Sequence, residues 1–346
     1  MRKTNKEAII IARQIRNFLT DYAPNHKTNS EATLKSYGMT ISLFLEFLEI
    51  EKGISPQTLE ADNFNRITIE GWLEWLSNIR GNKPQSCNNR LSSLRMFIEY
   101  LSSRELMMRY LYPESLMIPF RKTMKTKITG VSRKGIKTLL KIPNLSTKTG
   151  RRDLVLMITI YNTAVRISEI LALQIENIHL DVEKPYIRVL GKGNKLRSLY
   201  LLPKTVSHLR QYIEEFHGEE PSLDSYLFYS RNKGLKGQLN SEAIRKRFKK
   251  YAIKAHGICK EVPLNLHPHQ IRHAKASHWF EDDINIVQIS FLLGHEQLET
   301  TMRYLDVTVE QEAKALATLE DEAEQKISKK WKNSTTTNLK KFCGLD

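Results

Sequence analysis

The stretch from Leu264 to Tyr304, LNLHPHQIRHAKASHWFEDDINIVQISFLLGHEQLETTMRY, decides how this chain is read. His269 and Arg272 form an H-x-x-R, and three-residue spacing puts both on one face of a helix. Leu292 and Leu293 precede a helix stop at Gly294, which leaves His295 in a turn. Tyr304 follows nine positions after His295, at the end of a short polar segment, and a new helical pattern begins near Val309. Two basic side chains on a helix, a His at a turn and a nearby Tyr suit attack on a phosphodiester. The Tyr supplies the nucleophile and the basic groups hold the phosphate.

Working outward, two further pieces lie upstream. Thr163-Ala164-Val165-Arg166-Ile167-Ser168-Glu169 sets an Arg in front of an amphipathic helix. Val189 to Arg197 reads as a β-hairpin with Lys192 at its Gly-Lys-Gly-Asn turn. Taken singly, each has an ordinary explanation. Arg166 and Glu169 have the spacing of an i,i+3 ion pair, and a Lys at a hairpin tip is normally just solvated. In the order Arg, Lys, H-x-x-R, Gly-His, Tyr, the set resembles the tyrosine recombinase, or phage integrase, family. The resemblance covers the last two thirds of the chain by motif and the first third by layout. It implies a catalytic set of Arg166, Lys192, His269, Arg272, His295 and Tyr304, with Glu169 supporting Arg166. One departure stands out: this chain has Ala164-Val165 where many members have Gly-Leu or Ala-Arg, which removes the left-handed freedom of a glycine.

The chemistry fits those residue types. Attack on a phosphodiester builds charge on two non-bridging oxygens, and the planar fork of an Arg holds two oxygens at once. Arg166 and Arg272 are the expected pair. A Tyr with its ordinary pKa near 10 is ionised in about one molecule per thousand at pH 7, a handicap of roughly 4 kcal/mol. A positive field and His269 as proton acceptor reduce it. Lys192 on a mobile tip can protonate the leaving 5′-oxygen, and His295 can donate to a phosphate oxygen. A phosphotyrosine ester conserves bond energy, so joining needs neither metal nor ATP, and no cofactor is expected. His267, His269, His273 and His278 invite a metal reading, but Gln270 stands where a zincin has Glu and no third ligand is signalled.

Composition agrees with a polyanionic partner. In 346 residues, Lys and Arg number 54 against 38 Asp and Glu, for a net charge of +16. That excess favours double-stranded DNA before an acidic membrane. Hydrophobic residues at 40% and charged residues at 27% describe globular domains, and the length allows two cores. Cys87, Cys259 and Cys343 are widely spaced and form no C-x-x-C, which fits a reducing cytoplasm. The apolar run near the N-terminus is interrupted by Arg13 and Arg16, so it reads as neither signal peptide nor membrane span.

The expected fold is mainly α with a small antiparallel sheet: an α-helical N-terminal bundle, then a mixed α+β catalytic domain. Residues 1–112 read as a four-helix DNA-binding domain whose polar faces carry Lys35, Arg90, Arg95 and Arg104. Residues 113–130 read as a basic linker with Arg121, Lys122, Lys125 and Lys127, placed to cross a DNA backbone. Residues 131–325 form the catalytic domain, in which a helix from Ser241 to Ala255 presents Arg245, Lys246, Arg247, Lys249, Lys250 and Lys254. A basic tail occupies 326–346. The resemblance further implies a homo-oligomer on DNA, a tetramer joined through the helix from Val309 to Ala323. It implies a site-specific recombinase of a mobile element, an integrase or transposase. The rivals are a topoisomerase of the same chemistry and a DNA-binding regulator that kept the fold and lost catalysis.

Overall fold

The computed structural model describes residues 5–123, 130–191, 195–294 and 301. The chain divides into two compact units, Met1–Lys127 and Ile128–Asp346.

The first unit is a helical bundle whose ends follow local chemistry. Helix α1 (Lys6–Asn17) starts where the Asn5 side chain accepts from the Glu7 N–H. It runs on into a wider-wound π segment, Phe18–Lys27. Pro24 inside that segment has no N–H to donate, so a regular α ladder is interrupted there. Helix α2 (Glu31–Lys52) is capped by Ser30 and stopped by Gly53, which takes the left-handed conformation at φ 64°. Asn65 caps α3 (Arg66–Asn78), and Pro84 opens α4 (Pro84–Arg104) at a position where a missing N–H costs nothing. Phe18, Phe44, Phe64, Trp72 and Phe97 are fully buried together. Phe44 and Trp72 meet edge to face at 5.3 Å.

The first unit reaches further than the sequence reading allowed. Residues from 113 on had no apolar period and carried Pro113, yet helix α5 spans Leu111–Leu116 and Ile118 is buried beyond it. Pro113 lies in the first turn, where a helix tolerates it. Arg95 donates from Nε and Nη2 to the Ser115 carbonyl at 3.0 and 2.7 Å, and also to the Ile118 carbonyl. Asn88 exchanges two 2.9 Å hydrogen bonds with the Arg121 backbone. Arg95, expected to face DNA, is therefore a clamp on this segment and leaves the set of candidate DNA contacts.

The second unit begins with α6 (Arg133–Leu140), capped by Ser132 as its sequence predicts. Helix α7 (Lys148–Thr163) and the short α8 (Ile167–Leu171) follow. Strands β1 (Ile178–His179), β2 (Tyr186–Leu190) and β3 (Leu196–Tyr200) form an antiparallel sheet in that order. Leu190 pairs with Leu196 and Tyr186 with Tyr200, the register of the expected hairpin. Helix α9 (Pro203–His217) is followed by a second ribbon, β4 (Tyr229–Ser230) with β5 (Gly234–Gln238). Just before β4, Tyr226 makes an isolated bridge to Gln174. Helices α10 (Ser241–Ile258), α11 (Pro268–Glu281) and α12 (Ile286–Leu293) complete the described part. Leu156, Ile160, Ile187, Phe228 and Phe248 belong to the core they share.

One buried carboxylate ties α7 to α10. Asp153 is fully buried and accepts from Arg152 at 2.8 Å, from Arg247 and from the Tyr251 hydroxyl at 2.7 Å. Arg247 is thereby turned inward, away from the basic face read from sequence. Arg245, Lys246 and Lys249 stay exposed on α10. Among the described residues no helix is long and apolar enough to cross a membrane.

Candidate active site

Two turns build the site. The first ends α7: Ala164 sits in the left-handed region at φ 50° and ψ 28°. A residue with a Cβ resists that conformation by about 1–2 kcal/mol. The turn is therefore left-handed although the sequence places a Cβ there. The second turn ends α12, where Gly294 is left-handed at φ 63°.

Two guanidinium groups bridge these turns. Arg272, on α11 and only 1% exposed, donates from Nη1 to the Ala164 carbonyl and from Nη2 to the Leu293 carbonyl, both at 2.6 Å. Arg166, just before α8, donates from Nη2 to the Gly294 carbonyl at 3.3 Å. Its Nη1 meets Glu169 Oε1 at 2.8 Å, and its backbone N–H donates to Glu169 Oε2 at 3.0 Å. The ordinary ion pair foreseen for Arg166 and Glu169 is present, but it forms inside a larger assembly. Glu169 also receives both terminal nitrogens of Arg197, at 3.1 and 2.6 Å. Burial alone would raise the Glu169 carboxyl, but the hydrogen bonds from Arg197 and Arg166 outweigh it and hold the group below the usual range.

His269 lies one helical turn before Arg272 and feels the same charges. Desolvation comes first, followed by the positive charges of Arg272, His273 and Arg166, and together they push its pKa down to about 4. Although the residue keeps an exposed outer face, the imidazole is neutral at pH 7 and able to accept a proton. The other histidines of this stretch have structural partners or positions. His267 caps α11, with its N–H on Gln270 at 2.8 Å. His273 is buried, and His278 Nδ1 lies 2.8 Å from the Tyr161 hydroxyl. Among the described residues no three His, Cys, Asp or Glu side chains gather as a metal-ligand group.

Residues 131–311, more than half of the chain, match the profile of the phage integrase family, and residues 15–105 match the phage integrase N-terminal SAM-like domain. The chain belongs to the phage integrase family. It is a tyrosine recombinase, a site-specific DNA strand transferase. It is 28% identical over 303 residues to tyrosine recombinase XerC of Chlamydia caviae, spanning 84% of this chain and 93% of that protein. It is 29% identical over 308 residues to tyrosine recombinase XerD of Proteus mirabilis, spanning 82% and 93%. The fold is shared with the XerH recombinase bound to its difH substrate, at a TM-score of 0.65 and 16% identity over 92% of this chain and 98% of that one. It is shared equally with the Tn1549 transposon integrase bound to transposon right-end DNA, at 0.66 and 13% over 92% and 99%.

For this recombinase, the structure brings Arg166, Glu169, His269 and Arg272 together. Lys192, His295 and Tyr304 lie outside the described residues. Their neighbours are visible: Gly191 and Lys195 flank the Lys192 turn, with the Gly191 N–H on the Lys195 carbonyl at 2.8 Å, and Gly294 immediately precedes His295. Of the expected DNA contacts, Lys35 and Lys122 are exposed, Arg121 is partly buried, and Lys125 lies outside the described residues. Arg90 donates to the Thr40 hydroxyl at 3.1 Å. The sequence reading missed Arg197 as a member of the site. The signal was there: Arg197 alternates with Leu199 and Leu201, both buried, so the strand pattern puts a charge on the core-facing side.

Proposed function

We propose that this recombinase cuts DNA at a specific site and rejoins it through a 3′-phosphotyrosine formed on Tyr304, in the service of a mobile element. In this reading Arg166 and Arg272 hold the non-bridging oxygens of the scissile phosphate. Neutral His269 takes the Tyr304 proton as the phenolic oxygen attacks phosphorus. Lys192 gives a proton to the departing 5′-oxygen, and His295 donates to the phosphate. Attack by a new 5′-hydroxyl reverses each transfer, releases Tyr304 and leaves no net hydrolysis. One observation carries the proposal: Arg166 and Arg272 bridge the same two turns, and the second turn leads directly into His295 and, ten residues after Gly294, Tyr304. Buried donors fixed before reaction are worth more than flexible ones, because little reorganisation remains.

The partner is double-stranded DNA, in the cytoplasm, bound by a homo-oligomer. The apolar stripe of Val309 to Ala323 is the segment through which a tetramer would assemble. No metal, ATP or other cofactor enters the scheme. Trapping of the covalent protein–DNA complex tests the chemistry. Tyr304→Phe is expected to bind DNA with near-normal affinity and form no adduct; an adduct in that variant, mapped to another Tyr, would remove Tyr304 from the scheme. Footprinting then tests the biological assignment. Protected sites at the two ends of a mobile segment support it, and a single fixed chromosomal site replaces it.

A further inference from the structure

We propose that Arg197 is a positioning residue of strand transfer: acting through Glu169, it fixes the Arg166 guanidinium and offsets the carboxylate's charge beside it. This rests on the reading that Arg166 holds the scissile phosphate. Three observations carry it.

The first is saturation of the carboxylate. Glu169, with a side chain only 5% exposed, accepts four hydrogen bonds: the Arg166 N–H and Nη1, and Nη1 and Nη2 of Arg197. A carboxylate offers about four lone-pair positions, so no freedom is left to it. The second is charge. Arg166 and Glu169 alone sum to zero, a poor partner for a phosphate. Arg197 makes the trio +1 and, like Arg166, engages both carboxylate oxygens.

The third is packing. The Arg197 guanidinium lies between two glycines. A Cβ at Gly191 would stand 2.9 Å from its Nη1, and one at Gly294 would stand 3.0 Å from its Cζ. Gly191 leads into the turn that carries Lys192, and Gly294 leads into His295. The same side chain therefore touches α8, the hairpin and the end of α12. A side chain at Gly191 would press on the Arg197 guanidinium and force it to shift. A Lys at this position would keep the charge but has no fork to hold both carboxylate oxygens.

The test uses the full chain and a duplex carrying its footprinted site, with the scissile linkage mapped from the covalent complex. Arg197→Lys is expected to retain DNA affinity and melting temperature while forming covalent complex about a hundredfold more slowly, the scale of a lost electrostatic contact. Arg197→Met and Glu169→Gln should behave alike, and the Arg197→Lys, Glu169→Gln pair should be no slower than either alone. If Arg197→Met fails to fold, the Lys variant carries the measurement. A second duplex bears a neutral methylphosphonate at the scissile position, which removes the charge that Arg166 is held to meet. On it the deficits of Arg166→Ala and Arg197→Lys, each relative to the unmodified protein, are expected to vanish together. If the Arg166→Ala deficit persists, the phosphate reading of Arg166 fails and the proposal falls with it. If Arg166→Ala recovers but Arg197→Lys does not, Arg197 serves only the fold and the proposal is overturned.

Discussion

At the scale of single residues, Ala164 holds a conformation that a glycine would adopt more easily. Its left-handed φ of 50° aims its carbonyl at Arg272. Ala164→Gly would relieve about 1–2 kcal/mol of strain. It would also lose a buried methyl worth about 0.8 kcal/mol and add unfolded-state freedom worth about 0.5–1 kcal/mol. The three effects offset, so melting temperature and activity should stay close to those of the unmodified protein. Ala164→Val puts a β-branched side chain into the same conformation and should destabilise by about 2 kcal/mol or more, measurable by denaturant unfolding. His269 gives a second residue-level expectation. Its folded pKa, about 4, lies below the ordinary value of 6.5. The unfolded chain thus takes up the proton first, and this group's contribution to stability is lost as pH falls from 6.5 through 4. As a proton acceptor the imidazole remains neutral over the same window. The acid limb of single-turnover cleavage should therefore fall below pH 6.5; an imidazole-like limb at or above 6.5 would mean that His269 is not held neutral by its neighbours.

At the scale of elements, the helices were legible because their ends carry explicit chemistry. Ser132, Asn65, Pro84 and Gly53 mark boundaries that an apolar period alone would leave loose. The hairpin of β2 and β3 was equally legible from its Gly-rich turn. Strand β5, with the sequence GLKGQ, has neither alternation nor β-branched residues, and only pairing with β4 makes it a strand. The site divides the same way. Arg166, Glu169, His269 and Arg272 were pointed to by the ordered motifs of the family resemblance and not by any one spacing, whereas the place of Arg197 beside Glu169 depends on which face of β3 is buried. Helix α10 shows the limit of reading charge along a helix: Arg247 counts toward the basic face in sequence, but Asp153 draws it under the helix. Asp153→Ala would leave Arg152 and Arg247 facing a buried gap, and breaking a buried pair from one side typically costs about 3–5 kcal/mol. Lys246→Ala, on the exposed face, should leave stability within about 0.5 kcal/mol. Paired thermal melts of the two variants check this ranking; equal losses would mean that the Asp153 network carries no special weight.

At the scale of the whole molecule, the two-part plan was legible from two runs of helical periodicity and the basic stretch between them. The end of the first part was not, because Arg95, Asn88 and Ile118 bind the following residues by tertiary contacts that no local pattern announces. The aromatic centre of that first unit has an optical consequence. Of the four tryptophans, Trp72 and Trp75 are both buried in α3, whereas Trp279 in the second unit is half-buried beside Lys275 and Trp331 lies outside the described residues. The blue edge of the native emission spectrum should therefore come mainly from the N-terminal half, while far-ultraviolet ellipticity reports the helices of both. With a separate core in each unit, the two signals should change at different denaturant concentrations. Superimposable curves would show one cooperative transition. Displaced curves would let the spectrum follow the N-terminal half while the half that holds Arg166, His269 and Arg272 is watched by its activity.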